Sequence, residues 1–204
     1  MNGQETEIKF YVGNLPGIEA RLVELGAHLI QARVHETNLR FDTPGRTLRQ
    51  EGKVLRLRMD TTPKMTFKGS GVAINGIVSR KEIEFEISDF AAGKELIESL
   101  GYEVLVFYEK YRTTYELNDV FIMLDELPFG DFVEIEGEEI TEINRVADAL
   151  KLDSKKAIEA SYHALFEQVA KKKKISTHSL SFETFKNWKP NDEELSVSKA
   201  DREE

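Results

Sequence analysis

Short stretches in which charged and apolar residues alternate one for one recur along this chain, and that recurrence constrains its fold more than any single motif. Near the start, Glu5, Glu7 and Lys9 alternate with Ile8 and Phe10. Further on, Arg56 and Arg58 alternate with Leu55 and Leu57, and Thr66 and Lys68 with Met65 and Phe67. Glu82, Glu84 and Glu86 oppose Ile83, Phe85 and Ile87, while Glu134 and Glu136 oppose Val133 and Ile135. Lys110 and Arg112 share a face, with Glu109 on the other, and Asp125 follows the apolar run Val120 to Leu124. A period of two is the signature of a β-strand, so each stretch has one charged and one apolar face. For a lone strand, the charged face meets water and the apolar face meets a helix. So many such strands exceed what the few helices can cover as one flat sheet, and wide sheets curl. The pattern therefore predicts an α+β fold: an antiparallel sheet closed into a β-barrel, helices packed outside, charged faces lining the lumen.

The connecting segments fit that architecture. A strand over 4–12 leads to a helix over 16–31, with Asn14 as cap, Pro16 in the first turn and Ile18, Leu22, Leu25 and Leu29 at helical spacing. A strand over 34–41 ends in the turn Thr43-Pro44-Gly45-Arg46. Three glycines between Gly69 and Ser79 predict a long loop or flap. Ser88 is placed to cap a helix running to residue 100, which Gly101 stops. Strands over 103–117 and 119–126 meet at Asn118, and another follows over 132–137. Thr141 opens a helix to Leu150, and a longer helix spans 154–170. Two helices thus each follow a Glu-rich alternating strand, an internal echo consistent with a duplicated half. The organisation expected is one domain over 1–170 and a polar tail over 171–204, disordered over most of 190–204, with Leu180, Phe182, Phe185 and Trp188 as its only docking candidates.

Composition narrows the function. The net charge is -9, from 37 acidic and 28 basic residues, which argues against nonspecific nucleic-acid binding. There is no cysteine, hence no disulfide framework and no thiolate chemistry. No apolar run approaches membrane-spanning length and no signal core opens the chain, so the expected location is the cytoplasm. The histidines, His28, His35, His163 and His178, lack zinc-like spacing.

Charges lining a lumen must be paired or occupied. Lys9, Arg56, Arg58, Lys68, Lys110 and Arg112 call for a highly charged anion, and Glu5, Glu7, Asp125, Glu134 and Glu136 call for cations. A polyphosphate carrying Mg²⁺ or Mn²⁺ answers both: arginine forks grip phosphate oxygens, and carboxylates are hard ligands for these ions.

The residues also resemble a family. Glu5-x-Glu7-x-Lys9 is similar to the N-terminal signature of the CYTH superfamily, the triphosphate tunnel metalloenzymes. Supporting stretches are Leu55-Arg56-Leu57-Arg58, Thr66-Phe67-Lys68-Gly69, Arg80-Lys81-Glu82-Ile83-Glu84, Glu109-Lys110-Tyr111-Arg112, Gly130 to Glu136 and Ser161-Tyr162, and the resemblance covers about residues 4–168. It implies an eight-stranded antiparallel tunnel that binds triphosphate in its lumen. It further implies that Lys9, Arg56, Arg58, Lys68, Lys110 and Arg112 hold phosphates and that Glu5, Glu7, Asp125, Glu134 and Glu136 place the metals. Glu5, Glu7, Lys9 and Glu136 would carry the catalysis. Glu82 and Glu84 would stand behind the metal or tune the basic residues. Similar proteins lead to the expectation of a homodimer.

Family chemistry spans hydrolysis of inorganic triphosphate, thiamine triphosphate or RNA 5′-triphosphates, and cyclisation of ATP to cyclic AMP. Hydrolysis of a small-molecule triphosphate asks least of this chain. A class IV adenylyl cyclase needs a nucleoside pocket, for which Phe41, Tyr108 and Tyr111 are the aromatic candidates. A noncatalytic polyphosphate-binding module would need only the basic set.

Overall fold

The computed structural model describes residues 3–176 and 178–201. Strand β1 (Gln4–Val12) leads to helix α1 (Leu15–Glu24), then β2 (His28–Asp42), the short α2 (Thr47–Gln50), β3 (Val54–Met59) and β4 (Pro63–Lys68). A small β5 (Val72–Ile74) precedes β6 (Ile77–Glu86), α3 (Phe90–Ser99), β7 (Glu103–Leu117), β8 (Val120–Leu127) and β9 (Gly130–Glu136). Helix α4 (Ile140–Ala149), α5 (Tyr162–Lys173), β10 (Ser179–Leu180) and α6 (Asp192–Leu195) complete the chain.

The main strands pair in the order β1-β9-β8-β7-β2-β3-β4-β6, and β6 returns to β1, closing an eight-stranded antiparallel barrel. Closure removes the free edges that an open sheet would expose. The predicted echo has a topological counterpart. Exchanging β1-α1-β2-β3-β4 with β6-α3-β7-β8-β9 leaves the pairing map unchanged, with β1 against β6 and β2 against β7 at the two seams.

The apolar strand faces point outward, as the alternation requires. Ile8, Phe10 and Ile135 are buried beneath Leu15, Ile18 and Leu22 of α1 and Ile143 and Val146 of α4. Leu57 packs under Ile97 of α3. A third cluster closes one end of the barrel: Tyr11, Phe129 and Phe132 lie against Tyr162 and Phe166 of α5. Turn chemistry sets the register. Asn118 and Asp119 both have positive φ, as a two-residue hairpin needs. Gly130 (φ 152°) leaves no room for a side chain, since a Cβ there would stand 2.7 Å from the Tyr11 ring.

Several expected boundaries move, each for a local reason. The first helix stops at Glu24 rather than residue 31, because Gly26 (φ 77°) turns the chain and Leu29 already belongs to β2. The 69–79 segment is not a flap. Asn75 and Gly76, both at positive φ, turn β5 back onto β6. Asp89, not Ser88, caps α3 by accepting from the Ala92 amide, and α4 begins after Glu139 without a side-chain cap, not at Thr141. The single helix expected over 154–170 is split. Residues Ser154–Lys156 form one 3₁₀ turn, the Ile158 amide bonds the Lys9 carbonyl, and α5 starts only where Ser161 accepts from the Ala164 amide.

The disorder expected beyond residue 190 is likewise corrected. Residues 190–201 pack against the barrel, with Leu195 fully buried beside Leu180 and Phe185 in one cluster and Ala200 fully buried in the core beneath α1 and α4. The Asp201 carboxylate accepts from the Gly13 and Asn14 amides at 2.8–3.0 Å. A few apolar anchors and one capping carboxylate outweigh the polar composition. Residues 202–204 of the expected disordered tail lie outside the described residues.

Candidate active site

The barrel holds a cavity of about 720 Å³, lined among the described residues by nine basic and eight acidic side chains. β1 contributes Glu5, Glu7 and Lys9. Their inward direction follows from the burial of Ile8 and Phe10 on the outer face. β3 and β4 bring Arg56, Arg58, Lys64 and Lys68, β6 brings Arg80, Glu82 and Glu84, β7 brings Lys110 and Arg112, and β9 brings Glu134 and Glu136.

These charges form three linked groups. On the β1–β6 seam, Arg80 donates to Glu5 at 2.8 Å and to Glu7 at 3.3 Å, and Lys68 also donates to Glu5. Burial alone would raise the Glu5 pKa, but Lys68 and Arg80 outweigh it and pull it to about 2. Across β3, β4 and β6, Glu84 accepts from Arg58 at 2.7 Å and from Arg56 at 3.2 Å. The Arg56 Nε is buried without a hydrogen bond, while the Arg58 Nε has the Asp60 carboxylate at 3.4 Å. Deepest in the wall, Asp125 accepts from Lys110 at 3.0 Å, from both ends of the Arg112 fork, and from the Tyr162 hydroxyl at 2.8 Å. Glu134 takes Lys9 at 3.1 Å and shares the Arg112 terminal nitrogen that also donates to Asp125. Burial opposes the charge on Glu134, yet Lys9, Arg112 and Lys110 hold its pKa well below the usual carboxylate range.

Glu136 differs from every other carboxylate of the lumen. Among the described residues it has no hydrogen bond and no ion pair. Burial, helped by repulsion from Glu5, Glu7 and Glu82, pushes its pKa up to about 7. An acidic corner on β1 and β9 with one unpaired member is hard-oxygen chemistry suited to Mg²⁺ or Mn²⁺. Among the described residues, no three carboxylate or imidazole groups converge closely enough to cage an ion alone. That fits a Mg²⁺-type site, which takes one or two carboxylates and completes its shell with substrate phosphates and water.

The expected residues thus come together, with one exception. Asp125 is fully buried behind the wall, does not border the cavity, and accepts from Lys110 and Arg112. Glu84 holds two arginines, while Glu82 stands 3.4 Å from Lys68. Of the aromatic candidates, Tyr108 alone faces the lumen, its hydroxyl 3.4 Å from Arg56. Phe41 belongs to the outer core, and Tyr111 is stacked between His35 and Phe182. Missed from sequence were Glu36, Arg40, Asp60, Lys64 and Arg80 as wall residues, and Tyr162 as a lid whose ring lies 4.7 Å from the Lys9 ammonium. Glu36 is 1% exposed and lies 3.6 Å from Lys110.

A closed antiparallel barrel with a lumen of interleaved basic and acidic side chains defines a tunnel protein that presents charge to an enclosed ligand. The chain matches the CYTH domain family model over residues 3–162, and it belongs to that family. It is 26% identical, over 80% of its own length and 89% of the relative's, to a protein named adenylate cyclase CyaB of Aeromonas hydrophila. A Pyrococcus horikoshii protein of known structure is 27% identical, with a TM-score of 0.67 over 78% of this chain and 96% of that one. A Hippeastrum structure described as revealing a dominant triphosphatase activity shares the fold at 18% identity, with a TM-score of 0.61 over 80% of this chain and 95% of that one.

Proposed function

We propose that this protein is a divalent-metal-dependent enzyme that hydrolyses a small-molecule triphosphate, inorganic triphosphate ahead of ATP. The observation that carries the reading is the lumen itself. Among the described residues, nine basic side chains line one cavity, and the Arg56 Nε donor is buried without a hydrogen bond; they face a corner of carboxylates. In this reading Lys9, Arg56, Arg58, Lys68, Lys110 and Arg112 hold the phosphate oxygens, joined by Arg80. Glu5 and Glu7 would hold Mg²⁺ or Mn²⁺, which would supply charge neutralisation at the phosphates and a more acidic water, and Glu134 fixes Lys9 beside them. Water attacks the terminal phosphorus, a new P–O bond forms, and the bond to the bridging oxygen breaks. Glu136, unpaired and with a pKa near 7, accepts the proton of that water. The guanidinium and ammonium groups stabilise the leaving pyrophosphate, or ADP when the substrate is ATP.

Among the described residues, no helix is long and apolar enough to cross a membrane. The second reading is an adenylyl cyclase, favoured by the relationship to the Aeromonas protein. It would need a base-binding surface, and two of the three aromatic candidates lie outside the lumen. Incubation of the purified protein with inorganic triphosphate or ATP, in Mg²⁺ or Mn²⁺, decides between them. The expected result is a higher kcat/KM for inorganic triphosphate, and ADP as the main product from ATP. Cyclic AMP and pyrophosphate in equal amounts as the dominant products would overturn the hydrolase in favour of the cyclase.

A further inference from the structure

Three cations of the tunnel wall, Arg40, Lys64 and Arg80, lie outside the family-like phosphate set, and Lys64 and Arg80 are paired with carboxylates. Arg40 borders the cavity from β2, directly opposite Arg56 in the strand register. Every other basic side chain of the wall has a carboxylate in ion-pair range. Among the described residues, Arg40 has neither an ion pair nor a hydrogen bond. Glu167, whose charge is felt at Arg40, is already held by both terminal nitrogens of Arg49. Burial, together with Arg56 and Arg80, weakens the hold of Arg40 on its own proton. A guanidinium kept in that state without a protein partner is a binding group lacking its anion.

Its place in the ring supplies the geometry. In the closed order, β2 stands four strands from β1 in either direction, so Arg40 projects from the wall opposite Glu5 and Glu7. Arg56 and the Tyr108 hydroxyl share its corner. A linear triphosphate with one end at the acidic corner therefore directs its other end toward Arg40. That far end differs between substrates. Inorganic triphosphate ends in a phosphoryl group with three non-bridging oxygens. The α-phosphoryl of a nucleotide is esterified, carries less charge, and brings a nucleoside into the same space.

We infer that Arg40 grips the far terminal phosphoryl group and so selects free-ended inorganic polyphosphate over nucleoside triphosphates. The inference rests on the triphosphate reading above. Calorimetric titration of tripolyphosphate and of ATP, each without metal in EDTA, into the native protein, Arg40→Gln and Arg40→Lys tests it, with melting temperature as the folding control. Arg40→Gln should weaken tripolyphosphate about 10- to 100-fold, the range for losing a bond to a charged group. ATP should weaken by less than ~3-fold on the same scale, because it makes no such contact. Arg40→Lys should recover part of the loss as a point charge without the fork, and it carries the test if the glutamine variant does not fold. Equal losses for both ligands, or no loss for either, would overturn the role of Arg40 while leaving the triphosphate reading standing. A native protein that binds neither ligand would instead overturn the triphosphate reading itself.

Discussion

Asp125→Asn separates a structural carboxylate from a metal ligand. The Asp125 side chain is fully buried and accepts from Lys110, from both ends of the Arg112 fork, and from Tyr162. Asparagine keeps the shape and one acceptor oxygen but removes the charge. Lys110 keeps only Glu36 at 3.6 Å, and Arg112 keeps only Glu134. Breaking a buried ion pair by removing one partner costs about 3–5 kcal/mol. For a chain of 204 residues, at about 2–4 °C per kcal/mol, the melting temperature should fall by roughly 6–20 °C. Circular dichroism melts without metal measure this directly. Repeating them with saturating Mn²⁺ should show that the variant keeps the metal-induced gain in stability. The reasoning fails if the metal-free melt moves by less than about 2 °C while the metal-induced gain disappears. Asp125 would then be a metal ligand, as its resemblance to the family implies.

Three further outcomes can be measured. Glu136 has a pKa of about 7 in the folded state against 4.5 for the free side chain, so the fold binds its proton more tightly than the unfolded chain does. Its ionisation therefore costs stability that grows as pH rises from about 4.5 to 7, reaching about 3 kcal/mol above that range. Glu136→Gln should accordingly stabilise the metal-free protein at pH 8, do little at pH 5 and abolish most turnover; a pH-independent melting difference would contradict this. Arg58→Ala should weaken tripolyphosphate by about 2 kcal/mol in calorimetry, since the Arg58 guanidinium borders the lumen. Truncation after Lys174 should lower the melting temperature by more than ~10 °C, because it uncovers Phe129 and Phe166, at about 1.5–3 kcal/mol per buried apolar side chain lost. A truncated chain that melts like the native one would show the tail to be merely apposed.

What could be read from the sequence was what alternation encodes locally. β1 runs over Gln4–Val12, and the facing of Glu5, Glu7 and Lys9 follows from their neighbours Ile8 and Phe10. β2 was only half legible. Its outer face also carries polar residues, Arg33 and His35 among them, so Glu36, Asn38 and Arg40 did not stand out. Two signals were present and underused: Gly26, which ends α1, and the Asn75-Gly76 pair, which makes a hairpin of the supposed flap. The position of Asp125 was beyond any local rule. Its donors come from β7 and α5, and only the assembled barrel shows that they saturate it. The tail misled because composition averages over length, whereas docking depends on a few residues such as Leu180, Phe185 and Leu195.

The closing seam of the barrel has a kinetic consequence. β1 is made well before its partners, residues 77–81 of β6 and 131–136 of β9. At ~5–20 residues per second of synthesis, it waits many seconds for its last neighbour. Pairings so distant in sequence also make for slow folding, because the loop must be ordered before the contacts reward it. During that wait the apolar face of β1, Ile8 and Phe10, is uncovered. Glu5, Glu7 and Lys9 interrupt it at every second position, and charge within a short β-prone segment discourages pairing with other chains. The residues that line the tunnel in the finished protein thus also keep β1 soluble while it is still alone.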